Sequence, residues 1–241
     1  MTSSVEQSVT SPRAGEFYSR HRGGGLFTET VNQRIASYLC VGAWRLGLAP
    51  TTLTLTNLGL GLVASTAVIV LSGPMAAGDV PAWLVGVCVL LLWQLAYSLD
   101  CADGQLARVT GRASPMGGRV DVLADVATQI ARVAAISSVA DSYRPATPTW
   151  LVAAFAGTWM VNLVTSVLQQ GAAAGSLVTS SSSVVRLAKL IRDYGAGVVG
   201  VGIVLAVVPS WTFVLMAVFT VVNGGFLLAS VAAAARSSLR P

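Results

Sequence analysis

The sequence predicts an all-α, polytopic membrane protein: six transmembrane helices preceded by an amphipathic helix on the membrane surface. Three observations carry this expectation. Of 241 residues, 54% are hydrophobic and 10% charged, with a mean hydropathy of +0.71, whereas soluble proteins carry roughly 25% charged residues. The apolar residues gather into runs near the ~20 residues that cross a bilayer. The basic residues fall between those runs and almost all on one side of them, as cytoplasmic loops require. That dispersal also argues against nucleic acid as the partner of a chain with net charge +5.

Residues 1–25 are polar and rich in Ser, Arg and Gly, with no apolar run of the signal-peptide kind. They are expected to form a flexible cytoplasmic tail. Residues 26–47 set Val31, Ile35, Tyr38, Leu39 and Leu46 against Glu29, Gln33, Arg34 and Arg45. This is the pattern of an amphipathic helix lying on the membrane or packed on the bundle. Pro50 breaks the chain, and spans are expected at about 53–72, 81–99, 119–142, 149–169, 187–208 and 211–235. The first opens Leu53-Thr-Leu-Thr-Asn57-Leu-Gly59, polar on one side. Residues 73–80 form a short loop without Lys or Arg, and 109–118 a Gly- and Pro-containing reversal. The third span is the most polar, carrying Asp121, Asp125, Gln129 and Arg132, so that face must turn into the protein. Residues 170–185 are Gly-, Ala- and Ser-rich, with serine from Ser180 to Ser183, and are expected to be a flexible loop. Residues 26–235 thus make one membrane domain, and 236–241 a second tail.

Six spans place both termini on one side. Basic residues from Arg13 to Arg240 fall on that side, Arg144 alone faces the other, and Arg132 lies within a span. The termini and the acidic stretch are therefore expected at the cytoplasmic face of the plasma membrane. Glycines 59, 61, 157, 197, 200, 202, 224 and 225 would permit close helix packing. Trp83, Tyr97, Tyr143, Trp150 and Trp211 suit interface belts. Cys40, Cys88 and Cys101 form no disulfide or metal pattern, and His21 is the sole histidine, so a metal site here must be built from carboxylates.

Four of the chain's ten acids lie between Asp100 and Asp125. A carboxylate in the bilayer costs on the order of 2.5–3.5 kcal/mol. On helices, Asp100 and Asp103 share one face and Asp121 and Asp125 another. Turned toward each other, these faces would make an oxygen-lined cage for one or two hard divalent cations. Such a cage could serve an ion path, a structural metal or a catalytic site. Gly104 and Gly117 would let a bulky ligand approach the backbone. Arg108, one turn beyond Asp103–Gly104, offers a bidentate group for phosphate. An arginine beside the acids opposes cation passage and favours phosphoryl transfer.

Asp100-x2-Asp103-Gly104-x2-Ala107-Arg108-x8-Gly117-x3-Asp121-x3-Asp125 resembles, at every fixed position, the signature of the CDP-alcohol phosphatidyltransferase family. Pro50-x3-Thr54 resembles the opening of that family's first span, although the Asn common after the proline is here Thr51. The resemblance implies a six-helix fold, a homodimer and transfer of a substituted phosphate, such as phosphatidyl from CDP-diacylglycerol, to a hydroxyl acceptor with release of CMP. It implies a two-ion Mg²⁺ or Mn²⁺ site on Asp100, Asp103 and Asp121, with Asp125 near the ions and acting as general base. Arg108 would hold the CDP diphosphate, with Asp100, Gly104, Ala107 and Gly117 completing the CDP site.

The acceptor stays open. Arg132 could pair with one of the acids or bind an acceptor's phosphate. Arg186, Lys189 and Arg192 could be membrane anchors or a pocket for glycerol 3-phosphate or an inositol phosphate, with Asp193 trimming their charge. The Glu-Arg-x-x-Arg-like motif of inositol phosphate users is not found before the fifth span, and an uncharged polar alcohol is also compatible. A metal-dependent transport protein and a catalytically silent scaffold are the readings of other classes.

Overall fold

A computed structural model describes residues 11–169 and 192–238, which are helical with no strand among them. A short α1 (Ala14–Ser19) leads through a π-helical turn, Thr28–Asn32, into α2 (Gln33–Arg45). Then follow α3 (Pro50–Ala77), α4 (Ala82–Val109), α5 (Pro115–Tyr143), α6 (Thr149–Gln169), α7 (Tyr194–Val207) and α8 (Thr212–Ser238). Among the described residues, four helices are long and apolar enough to cross a membrane: Pro50–Ala77, Ala82–Val109, Pro115–Tyr143 and Pro209–Ala232. The expected start of the fifth span, at 187, lies outside the described residues, and α7 has 14 residues. The surface is apolar where lipid would meet it: Val63, Val70, Leu91, Val221 and Leu228 are all exposed. A patchwork of that extent would be a liability in water.

Local sequence sets the helix ends. Pro50 and Pro115 occupy first-turn positions, where the missing N–H costs nothing. The Ser114 hydroxyl accepts the Gly117 amide at 3.0 Å and caps α5. Gly78, at φ 84°, ends α3 in the left-handed region. The expected 73–80 loop is therefore shorter: the helix runs through Pro74 to Ala77, because a proline near the last turn removes only one ladder bond. Likewise α5 begins at Pro115 rather than at Arg119, and α4 carries the acidic motif on to Val109. At 28 residues, α4 is about 42 Å long, longer than the roughly 30 Å hydrocarbon layer. That excess lets the helix extend past the lipid tails at one end or both if it crosses.

At the centre α4 packs against α3, α7 and α2, and α3 packs on α5. Ala64, Val68, Val89, Trp93, Ile136, Val139, Val201 and Leu205 fill the core between them. Phe155, Trp159 and Phe219 join α6 to α8, with Trp159 stacked on Phe219 at 4.7 Å between centroids. Between α4 and α7, two close approaches need glycine. A Cβ at Gly202 would meet Leu90 at 2.6 Å, and one at Gly86 would collide with the backbone of Ala206. Gly59, Gly157, Gly200 and Gly225, which the sequence offered as packing sites, face open space, whereas Gly86 was not singled out.

The N-terminal segment differs from its expectation. Within the tail predicted to be flexible, Ala14–Ser19 is helical and Phe17 is 0% exposed. Phe17 belongs to an apolar cluster with Ala36, Cys40, Ala43 and Leu53, and with Leu99, Ala102 and Leu106 of α4. Two adjacent aromatics, Phe17 and Tyr18, in a polar stretch create no periodicity to read, yet the burial of Phe17 contributes about 1.5–3 kcal/mol. Tyr97, expected at the interface, instead packs edge-on to Tyr194 at 4.6 Å.

If the α4–α7 contact is as close as this, Gly86→Ala should destabilise the protein by about 1–3 kcal/mol through overpacking. Gly157→Ala, in open space, should be neutral or slightly stabilising. Thermal unfolding in detergent compares the two, and equal midpoints would contradict the packing.

Candidate active site

The acidic residues gather because α4 and α5 are joined by a short turn at 110–114 and both pack on α3. Asp100 and Asp103 project from one helix, Asp121 and Asp125 from the other. One ligand oxygen each from Asp100, Asp103 and Asp121 lies within 4.8 Å of the others. The pairs cross the helix boundary: Asp125 reaches Asp100, and Asp121 reaches Asp103. Asp103 is 6% exposed. Two unit charges 4 Å apart repel by about 4 kcal/mol at an effective dielectric of ~20, so an assembly of four needs positive charge to offset it. An all-oxygen donor set of this kind fits hard divalent cations.

Helix α3 orients the cluster. Thr54 Oγ1 donates to Asp103 Oδ2 at 2.5 Å, and Asn57 Nδ2 donates to Asp100 Oδ1 at 3.1 Å. Thr54 and Asn57 stand nearly one turn apart and are buried. Their hydrogen bonds fix one oxygen of each carboxylate and leave the other for a ligand. The polar opening of the first span was visible in the sequence, but its partners lie 49 and 43 residues away, beyond any local pattern.

Arg108 lies back along α4 over Gly104. A Cβ there would stand 2.9 Å from Nη1 and 3.2 Å from Nη2, so glycine makes room for the guanidinium. Its Nε donates to the backbone carbonyl of Arg20 at 2.6 Å. Ala107 and Arg108 line a cavity of about 390 Å³ together with Ser19, Arg20, His21, Arg22, Gly111 and Ala113. Gly117 is on the facing helix in the Ser114 cap and does not line that cavity.

The acceptor candidates are less united. Arg132 is 2% exposed and makes no ion pair with the acids, contrary to one sequence expectation. Its guanidinium instead sits between the rings of Trp93 and Tyr194, 5.1 Å from each centroid, and its Nε and Nη1 have no hydrogen-bond partner among the described residues. Arg192 rests over the Phe226 ring. Arg186 and Lys189 lie outside the described residues. Asp193 is engaged, among the described residues, by the N-terminal segment and the start of α7. Its carboxylate accepts the amides of Phe27, Thr28 and Gly195, at 2.8, 3.0 and 3.1 Å, and the Thr28 hydroxyl at 2.5 Å. It caps α7 and pins the N-terminal segment to it.

A protein-family model described as CDP-alcohol phosphatidyltransferase matches residues 47–224. The chain is 38% identical over 76 residues to cholinephosphotransferase 1 of Mus musculus and 40% identical over 76 residues to that of Xenopus laevis. Each match covers 32% of this chain, and 19% and 18% of the respective relative. The chain thus spans about a fifth of the length of the curated relatives it matches.

Thr54→Val and Asn57→Leu should each weaken Mn²⁺ binding by about 10–100-fold, the usual cost of removing a residue that orients a metal ligand. Electron paramagnetic resonance of free Mn²⁺ over detergent-solubilised protein measures this. Unchanged affinity in both variants would refute an orienting role.

Proposed function

Because the chain belongs to the CDP-alcohol phosphatidyltransferase family, we propose that it transfers a substituted phosphate from a CDP-alcohol to a hydroxyl acceptor, releasing CMP, in phospholipid biosynthesis. The observation that carries the proposal is the convergence of Asp100, Asp103 and Asp121, with Asp125 alongside and Arg108 one turn beyond, at a single end of α4 and α5. On this proposal residues 26–235 form a membrane domain of six spans, α2 lies on the membrane surface, and both termini and the site face the cytoplasm at the plasma membrane. Two copies of the chain make a homodimer.

Asp100, Asp103, Asp121 and Asp125 would hold Mg²⁺ or Mn²⁺, two ions in the full site. When bound, the ions would neutralise the diphosphate and stabilise the charge on the departing phosphate. Thr54 and Asn57 keep the ligand carboxylates in place. Asp100, Gly104, Ala107, Arg108 and Gly117 bind the CDP portion, with the Arg108 guanidinium on phosphate oxygen. Asp125 takes the proton of the acceptor hydroxyl. The hydroxyl oxygen bonds to the phosphorus that carries the substituent, the bond from that phosphorus to CMP breaks, and CMP leaves with the bonding pair.

A lipid donor such as CDP-diacylglycerol makes the transferred group phosphatidyl. The name of the two curated relatives specifies a choline phosphate instead, so a CDP-linked head group belongs in the same assay. For the acceptor, the unpaired N–H groups of buried Arg132 favour an anion, glycerol 3-phosphate first and an inositol phosphate second. Arg186, Lys189 and Arg192 would add to that pocket.

Purified protein should release CMP from a CDP-alcohol only with Mg²⁺ or Mn²⁺ and an acceptor. Asp125→Asn should lower kcat by roughly 10²–10⁴-fold, and a retained rate would remove Asp125 as the base. Arg132→Met should raise the KM of a phosphorylated acceptor about tenfold or more, the value of a charged hydrogen bond, with the donor KM unchanged. No CMP release from any donor–acceptor combination, alongside intact Mn²⁺ binding, would favour the metal-dependent transport reading.

A further inference from the structure

The cavity beside Arg108 has one wall from the motif helix and one from the N-terminal segment, which no family motif covers. Three arginines and a histidine (Arg20, His21, Arg22 and Arg108) line it, and none of the eight described residues that line it is acidic. Like charges so gathered repel each other, and an anion removes that cost. The volume of about 390 Å³ is in the range of small-ligand sites.

The N-terminal wall is held firmly. Phe17 is fully buried in the same apolar cluster as Leu99, Ala102 and Leu106, the residues interleaved with the acidic motif on α4, and α1 packs on α4. The Tyr18 hydroxyl donates to the carbonyl of Glu29 at 3.3 Å, and Arg34 lies 5.8 Å from the Tyr18 ring centroid. His21 stacks on Tyr18 at 4.8 Å and donates from Nδ1 to the Tyr18 carbonyl at 2.6 Å. This turn presents the Arg20 carbonyl to Arg108 Nε. With Nε so occupied, the guanidinium lies with Nη1 and Nη2 over Gly104, beside Asp103. The phosphate-binding edge of Arg108 is thus directed by a backbone atom eighty-eight residues away in sequence.

We propose that residues 13–22 form a fixed strap that completes the donor's diphosphate site: the Arg20 carbonyl positions Arg108, and the Arg20 and Arg22 side chains add cationic donors. This rests on the assignment of Arg108 to the donor. The strap acts on phosphate oxygens, which could equally come from a phosphorylated acceptor or an anionic lipid head group. The commitment here is to the CDP donor. Arg20 acts in two separable ways, because truncating its side chain leaves its carbonyl in place.

The test uses the full chain in detergent with Mn²⁺, titrated calorimetrically with CDP, which has the diphosphate but neither lipid nor acceptor. Arg20→Ala/Arg22→Ala should weaken CDP about tenfold or more, raise the KM of the CDP-alcohol similarly and leave the KM of the acceptor unchanged. Phe17→Ala, which releases the strap without removing charge, should weaken CDP in the same direction. In a double-mutant cycle, Phe17→Ala should cost less in an Arg108→Ala background than in the wild type, because both act through one guanidinium. Should Phe17→Ala fail to fold, the two surface arginines decide alone. Unchanged CDP affinity in Arg20→Ala/Arg22→Ala overturns the proposal. So does a rise in the acceptor KM alone, or a loss of binding to anionic vesicles with CDP affinity intact. If CDP binding survives Arg108→Ala unaltered, the donor assignment of Arg108 falls, and the strap with it; if only the strap variants are silent, that assignment stands.

Discussion

Everything in this structure answers to the mutual repulsion of four carboxylates. Asp100, Asp103, Asp121 and Asp125 can be brought together only if α4 and α5 are held in register about the turn that joins them. The bundle has to provide that rigidity by packing. Gly61 lets α3 sit directly on Thr128 of α5, with 2.8 Å from a hypothetical Cβ to the threonine methyl, and Gly86 and Gly202 do the same between α4 and α7. Close helix contact lets Thr54 and Asn57 of α3 reach the acids with short side chains, which lose little entropy on fixing.

Charge is laid out in layers along α4. The carboxylates occupy the middle of its acidic end, between the Asn57 and Thr54 donors. One turn further toward the helix end stand Arg108 and the arginines of the N-terminal turn. Deeper in the bundle, on α5, Arg132 is enclosed by Trp93 and Tyr194. A cation against two aromatic faces keeps part of the stabilisation lost with water, which lets an arginine remain buried without an ion pair. The acid cluster is thus flanked by positive charge on two sides, an order suited to an anionic ligand that bridges metal and arginine.

The separation between what the sequence disclosed and what it did not follows contact range. Spacings of three and four residues translate directly into helix faces, so the facing acid pairs and the place of Arg108 were legible. Hydropathy likewise marked α3, α4, α5 and α8 as long apolar helices. Thr54 and Asn57 looked like a polar edge without a purpose, because their partners come from another helix. Arg132 has an acid seven residues back, but the aromatic slot that holds it is made by Trp93 and Tyr194 from two other helices. Asp193 sits next to Arg192 in sequence and was read as its neighbour in charge. In space it faces backbone amides, a helix start being a stronger attractor for a carboxylate than an adjacent side chain pointing elsewhere.

Asp193 also explains why an N-terminal segment with so little apolar surface stays in place. Phe17 anchors one end, but residues 23–27 include three consecutive glycines that would let the strap drift. The chain is caught again at Phe27 and Thr28 by the Asp193 carboxylate, and Asn32 then bonds Gln94 at 2.6 Å and Ser98 at 3.2 Å on α4. Gln94 in turn donates to the carbonyl of Gly195 at 2.8 Å. The same polar links therefore hold the first residues of α7, the middle of α4 and the entry to α2. Buried hydrogen bonds are costly to leave unmade, so moving α7 would disturb the N-terminal turn. The glycines allow the sharp path between the two anchors, Gly23 and Gly24 both having positive φ. The wall of the basic cavity is therefore tied, through Asp193, to the start of α7, immediately after Arg192 and the undescribed stretch that contains Arg186 and Lys189.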